Sequence, residues 1–124
     1  MQYGYVRLFG DEQGESHFEE VTVVLTEVDF APPAPAVFLG SLSTASGISL
    51  LAVGPDWFGD WHPSPLHQWM CILMGGVEVA VSDGHVRQFG PGDLILLEDV
   101  TGRGHATKVI GGGPMVLATV AIKA

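Results

Sequence analysis

Apolar residues in this chain come in short runs broken by glycine, proline and aspartate, a spacing that suits strands and turns rather than helices. The C-terminal half reads most clearly. Gln68 to Met74 forms a strand, Gly75-Gly76 a tight turn, and Val77-Glu78-Val79-Ala80-Val81 alternates as a half-exposed strand does. Ser82-Asp83-Gly84-His85 carries the Asp-Gly signal of a two-residue hairpin, with Val86 to Phe89 returning. Gly90-Pro91-Gly92-Asp93 turns the chain into a buried strand, Leu94 to Leu97. A loop from Glu98 to Gly104 then leads to a strand over His105 to Ile110, and Gly111-Gly112-Gly113-Pro114 separates it from a last strand, Met115 to Ile122.

The N-terminal half is less regular. Residues 1 to 20 are polar and turn-rich and read as an arm or a short edge hairpin. Val21 to Val28 is β-branched and strand-like. It ends at Ala31-Pro32-Pro33-Ala34-Pro35, where proline removes ladder donors and imposes an extended connector. A short strand over Ala36 to Leu39 and another over Ile48 to Val53 follow. The stretch from Trp57 to Trp69, dense in aromatics, histidine and proline, cannot be a helix. Short strands with frequent turn signals predict a single all-β domain, a sandwich or a barrel, with core strands over residues 45–122 and closure hiding the sheet edges.

Composition narrows the functional classes. A chain of 124 residues is sized for one core. Fourteen acidic residues against five basic ones give a net charge of −9, which repels a phosphate backbone and an anionic membrane alike. Neither nucleic acid nor membrane is expected as a partner. The single cysteine, Cys71, lies in an apolar run and reads as a buried, inert thiol. The N-terminus lacks the basic-then-apolar layout of a signal peptide, and no apolar run nears the ~20 residues that span a bilayer, so a soluble, cytoplasmic protein is expected.

Side chains alternate along a strand, so His62, Ser64 and Gln68 share one parity, with Met70 and Ile72 on the same face. His67 has the other parity and reaches that face only if a bulge at Pro65 flips it. Further on, His105, Thr107 and Val109 share a face, and the solvent that Lys108 requires puts them inward. A pocket holding His62, His105 and Gln68 is predicted, with Ser64, Met70, Ile72, Trp61 and Thr107 around it. The rings of Trp57, Phe58 and Trp61 either cap the core or stack on a ligand. Glu98 and Asp99 read as exposed loop residues, one of which could approach the pocket mouth as an acid or base. His85 and His17 read as solvated.

The residues from His62 to Gly75, with Gly92-Asp93 and Gly102-Arg103-Gly104-His105, resemble the two motifs of the cupin superfamily, small bacterial single-domain type. In the first motif, His62 takes the place of the first histidine, Ser64 the second, Gln68 the glutamate and Gly75 the glycine. In the second, Val100 stands for the proline, Gly102 for the glycine, His105 for the histidine and Val109 for the asparagine. The resemblance implies a jelly-roll β-barrel and, at its centre, one divalent metal ion such as zinc, iron, nickel or manganese. Its ligands here would be His62, Gln68 and His105, with His67 as a further candidate. Serine is a poor ligand, and an amide is weaker than a carboxylate.

Two functions follow from this reading. One is an enzyme acting on a small molecule, with His62 and His105 as metal ligands or as acid and base, an oxygenase, isomerase or cyclase in kind. The other is a non-catalytic binding or sensor module whose metal site has degenerated. In either case the partners expected are a small-molecule ligand and a second copy of the chain, a homodimer. A third and less favoured reading is a structural or partner-binding role through sheet-edge pairing by the N-terminal arm, which leaves the inward histidines and Gln68 unexplained.

Overall fold

The computed structural model describes residues 1–123 and is built of strands alone. In chain order these are β1 (Gln2–Gly10), β2 (Ser16–Val24), β3 (Thr26–Val28), β4 (Val37–Leu39), β5 (Ala45–Val53) and β6 (Phe58–His62). They continue with β7 (Gln68–Met74), β8 (Gly76–Val81), β9 (Val86–Phe89), β10 (Leu94–Glu98), β11 (His105–Ile110) and β12 (Met115–Ile122). A six-stranded sheet runs β2-β1-β10-β7-β12-β5 and a four-stranded sheet runs β6-β11-β8-β9, while β3 and β4 pair only with each other. No helix among the described residues is long and apolar enough to cross a membrane.

The two large sheets meet over one core. Val6, Leu8, Ile72, Ile95, Leu97, Met115 and Leu117 come from the six-stranded sheet, and Val77, Val79, Val81, Phe89 and Val109 from the four-stranded one. Each strand offers these side chains at alternate positions, as in Val77, Val79 and Val81, so the pleat sends one set inward. Full burial of one such side chain stabilises the fold by roughly 1.5–3 kcal/mol. Closure of the roll depends on a pairing between distant segments: β1 lies parallel to β10, Val6 opposite Ile95 and Leu8 opposite Leu97.

Several local expectations change. The N-terminal segment is no free arm: β1 and β2 form a long hairpin whose first strand lies inside the six-stranded sheet. The strand expected over Val21 to Val28 breaks at Leu25, where the chain leaves that sheet for the separate β3–β4 hairpin. Four residues, not two, connect β8 to β9, because Asp83 Oδ1 accepts the His85 N–H and ring N–H and so organises a wider turn. The aromatic-rich stretch contains an unforeseen strand, β6, held against β11 with Val109 N–H donated to the Trp57 carbonyl.

Candidate active site in the barrel

Strands β6, β7, β11 and β12 bring the motif residues to one cavity of about 310 Å³. His62 ends β6 and stands opposite His105 in the antiparallel β6–β11 pair, so two histidines 43 positions apart in sequence become neighbours. Their ring centroids are 5.0 Å apart, tilted by 52°. Gln68 and Met70 from β7, Thr107 from β11 and Ser64 from the β6–β7 loop also line the cavity. Leu51, Val53, Leu97, Met115 and Leu117 give it apolar walls, and Thr119 adds a hydroxyl.

Each imidazole is oriented by its Nδ1. His105 donates from Nδ1 to the Asp99 carboxylate at 2.6 Å, and His62 donates from Nδ1 to the Asp60 carbonyl at 2.5 Å. A carboxylate and a carbonyl only accept, so the ring proton belongs on Nδ1 and Nε2 is left with its lone pair. Asp99 is 0 % exposed, a burial that a carboxyl group tolerates only with hydrogen-bond partners. Its Oδ2 has His105, while Oδ1 has no partner among the described residues. The Asp99 backbone carbonyl also accepts the Ser64 N–H at 2.9 Å, tying the loop before β11 to the loop after β6.

Gln68 and Ser64 complete the polar set. The Ser64 hydroxyl donates to the Leu66 carbonyl at 2.7 Å, and the Gln68 amide nitrogen reaches the Ser64 oxygen at 3.4 Å. Ser64 is thus a buried bracket for Gln68, whose amide oxygen has no hydrogen-bond partner among the described residues.

A second layer fixes where β11 begins. Ser16 Oγ donates to the Gly104 carbonyl at 2.6 Å and accepts the Ser82 N–H at 2.8 Å. Gly104 adopts φ +71°, and a Cβ there would collide with the His62 carbonyl. The glycine lets the β10–β11 loop pass directly against His62, which is what seats His62 beside His105.

Some expected pocket residues lie elsewhere. Trp61 lines a different groove, with Val81, Ser82, Gly84 and Arg103, since it neighbours His62 on β6 and faces the opposite way; Trp57, which precedes β6, lines the cavity. Ile72 lies in the hydrophobic core beyond the cavity lining, 2 % exposed. His67 is 51 % exposed with Nδ1 3.8 Å from Glu98, so the loop through Pro65 does not turn it inward. Asp99, read as an exposed loop residue, is the buried partner of His105, while Glu98 pairs with Arg7 at 2.5 Å. Thr119 is what the sequence reading missed, while Asp99 and Trp57 entered it only as alternatives to an exposed loop residue and a core-capping ring. A carboxylate six residues before a motif histidine was the available signal for Asp99. His17 is not simply solvated either, since it sits between Asp11 and Asp83 at 2.7 and 2.8 Å. Cys71 is half-buried, and burial pushes its thiol up, in keeping with an unreactive side chain.

The residues at the centre fit a divalent cation in part. Two imidazoles with Nδ1 held by an acceptor and Nε2 free have the outer support that metal-binding histidines use. Centroids 5.0 Å apart match roughly the 5 Å expected when both Nε2 atoms bind one ion at about 2.1 Å. The third donor is the Gln68 amide, and among the described residues no three histidine, cysteine or acidic side chains cluster at ligand distance. All three donors are neutral, so an ion here would be held more weakly than by a set containing a carboxylate.

No protein-family model and no curated protein matches the chain. Solved structures do. The cupin domain of Schizosaccharomyces pombe Cnp3 is 18 % identical, aligned over 98 % of this chain and 84 % of that one with a TM-score of 0.50. A cupin domain from Bordetella pertussis Tohama I is 14 % identical over 68 % of this chain and all of its own, with a TM-score of 0.49. At 18 % identity the likeness to the Schizosaccharomyces pombe domain speaks to architecture alone. The all-β roll, with strands in the order found and His62 facing His105 across β6 and β11, has the cupin fold that the two motif-like stretches resemble.

Proposed function

We propose that the barrel cavity binds a small molecule with an apolar body and a proton-donating head, and that the chain is a cupin-type enzyme moving a proton on it. The observation that carries this reading is the paired orientation of His62 and His105. Each ring has Nδ1 tied to an acceptor outside the cavity lining and Nε2 left free on the cavity side. Two lone pairs and an unpartnered Gln68 oxygen, surrounded by Leu51, Met70, Leu97 and Leu117, form a polar focus within apolar walls. That is the usual anatomy of a small-molecule site.

In the proposed reaction His105 Nε2 accepts a proton from the bound molecule. The Asp99 carboxylate holds the ring in the required tautomer and stabilises the imidazolium that forms. His62 Nε2 is placed to receive a second donor group, and Gln68 Oε1 to accept a hydrogen bond that fixes the head. His105, 6 % exposed, stands against the apolar walls, and this low-polarity setting strengthens its contacts. His62, His105 and Gln68 would also be the residues to hold a divalent cation, which would supply Lewis acidity toward a substrate oxygen. Isomerisation or cyclisation through proton abstraction fits this arrangement in either case.

The test uses a panel of small hydroxy acids, keto acids and sugars as probes, followed by NMR of ¹⁵N-labelled histidine rings. A probe that binds and turns over should move the Nε2 signals of both His62 and His105, and His105→Ala should lower its turnover by about 10²–10⁴-fold. A probe turned over equally well by His105→Ala would refute the mechanism. One that binds at both rings and is never altered would favour a binding module instead.

A further inference from the structure

The barrel cavity is rich in acceptors, and no cationic side chain lines it. His62 Nε2, His105 Nε2 and Gln68 Oε1 have no hydrogen-bond partner among the described residues. None of the five lysines and arginines of the chain is among the lining residues. Arg7 pairs with Glu98, Arg87 with Glu20 and Arg103 with Glu15, while Lys108 points outward from β11 and Lys123 follows β12. The lining hydroxyls of Thr107 and Thr119 can donate, but a neutral hydroxyl does not offset the cost of stripping water from a carboxylate or phosphate. An anionic head would enter without a counter-charge.

A positive head meets the opposite setting. Asp99 is a carboxylate with no exposed surface, and its ion-pair partner among the described residues is His105 alone. A buried charge is costly unless it is paired. A cation held at His105 Nε2 would sit across the same imidazole from that carboxylate, close enough to feel it in a low-polarity setting. Trp57 supplies a second attraction. Its indole runs past Gly59, where a Cβ would stand 2.6 Å from Cη2 of the ring and 3.5 Å from Cε1 of His62. Tryptophan and imidazole therefore flank one spot beside the cavity they both line, and the face of an indole attracts a cation. The chain's net charge of −9 draws cations from solution and repels anions. Donor count narrows the head further. A primary ammonium presents three N–H donors and no acceptor, one donor for each free acceptor here, whereas a hydroxyl presents one. Leu51, Met70, Leu97 and Leu117 around a volume of about 310 Å³ call for a hydrocarbon body behind that head.

We infer that the ligand of this cavity is a primary organic ammonium ion, its head on His62, His105 and Gln68 and its hydrocarbon among the apolar walls; this rests on the small-molecule reading of the cavity. Calorimetry and ¹⁵N-histidine NMR of the full chain, with EDTA present to remove metal ions, test it. The probes are n-hexylammonium, cyclohexylmethylammonium and benzylammonium, each beside its alcohol and carboxylate counterpart. At least one ammonium should move both Nε2 signals and bind roughly tenfold tighter than its alcohol, with the carboxylate weaker still. Gln68→Glu should tighten that ammonium by a further factor of about ten and weaken the carboxylate. Trp57→Leu should cost the ammonium about two- to fivefold more affinity than it costs the alcohol. Circular dichroism checks that each variant is folded. An alcohol or carboxylate that binds at both rings as tightly as its ammonium would overturn the inference and leave the small-molecule site in place. If no probe moves either ring, the inference and the reading of the site fail together. An ammonium that binds only when EDTA is left out would also overturn it, since a metal ion would then hold the ligand.

Discussion

A neutral imidazole has one N–H and one lone pair, and the nitrogen that faces a fixed acceptor must carry the proton. Asp99 is such an acceptor for His105, and this single contact decides what the ring can offer the cavity. Asp99→Asn keeps the volume but supplies an amide that can donate, which permits the opposite tautomer. Calorimetric titration with Zn²⁺ as a probe should therefore show a 10- to 100-fold weaker site than in the wild type, the usual cost of losing such an outer partner. Equal affinity would mean that Asp99 only fills space. Gly104→Ala acts on the same constellation through the backbone. A methyl group there collides with the His62 carbonyl at a left-handed φ, so denaturant unfolding should show a loss of about 1–3 kcal/mol. His105 was legible in the sequence because Lys108 fixes the parity of its strand. Asp99 was not, because a carboxylate in a loop reads as solvated until the fold shows what covers it.

Strand β6 separates two tryptophans that sequence alone treats as one aromatic cluster. Trp57 lines the cavity and Trp61 a different groove, so Trp57→Ala should weaken any cavity ligand while Trp61→Ala leaves its affinity unchanged. Saturation binding with a ligand found by NMR would read this difference, and a larger loss for Trp61 would contradict the assignment. Such parity was readable for β8 and β11, where Glu78 and Lys108 mark the face turned from the core, and for β7 from its count starting at Gln68. It failed at β6, where prolines on one side and a register shift between His105 and Thr107 on the other disturb the count.

The β1–β2 and β8–β9 turns are joined by another element-scale device. His17 on β2 bonds Asp11 and Asp83, with His85 and Asp83 also in contact. The Asp11 hydrogen bond, then the Asp83 one, raise the His17 pKa above its ordinary 6.5, and the His17 bond lowers Asp11 below its ordinary 3.8. A raised histidine stabilises the fold fully below about pH 6.5, and that contribution disappears as pH rises through its folded value. A lowered aspartate contributes above about pH 3.8 and loses that as pH falls through its folded value. The clamp is therefore strongest between those limits. In melting curves taken across pH, His17→Ala should flatten the decline above pH 6.5, and an unchanged slope would show that the clamp contributes nothing.

At the scale of the whole molecule, the glycine and proline punctuation was enough to predict an all-β roll, since turns can be recognised locally. Pairing between distant segments cannot. The parallel contact of β1 with β10 depends on the closed core around Leu8, Ile95 and Leu97, which no local pattern announces, and this is why residues 1 to 20 read as an arm or a short edge hairpin rather than as a hairpin with one strand inside the sheet. Leu8 is fully buried at that seam, and Leu8→Ala should cost about 2–5 kcal/mol in chemical denaturation. A second pairing of distant segments, β6 with β11, sets His62 and His105 face to face, and the functional reading depends on that meeting. Long-range ¹H–¹⁵N correlation of the histidine rings, recorded above neutral pH and titrated with Zn²⁺, examines it most directly. The account predicts both His62 and His105 as Nδ1–H tautomers, with their two Nε2 signals shifting together as one equivalent is added. An Nε2–H tautomer at either ring, or a response at one histidine without the other, would contradict it.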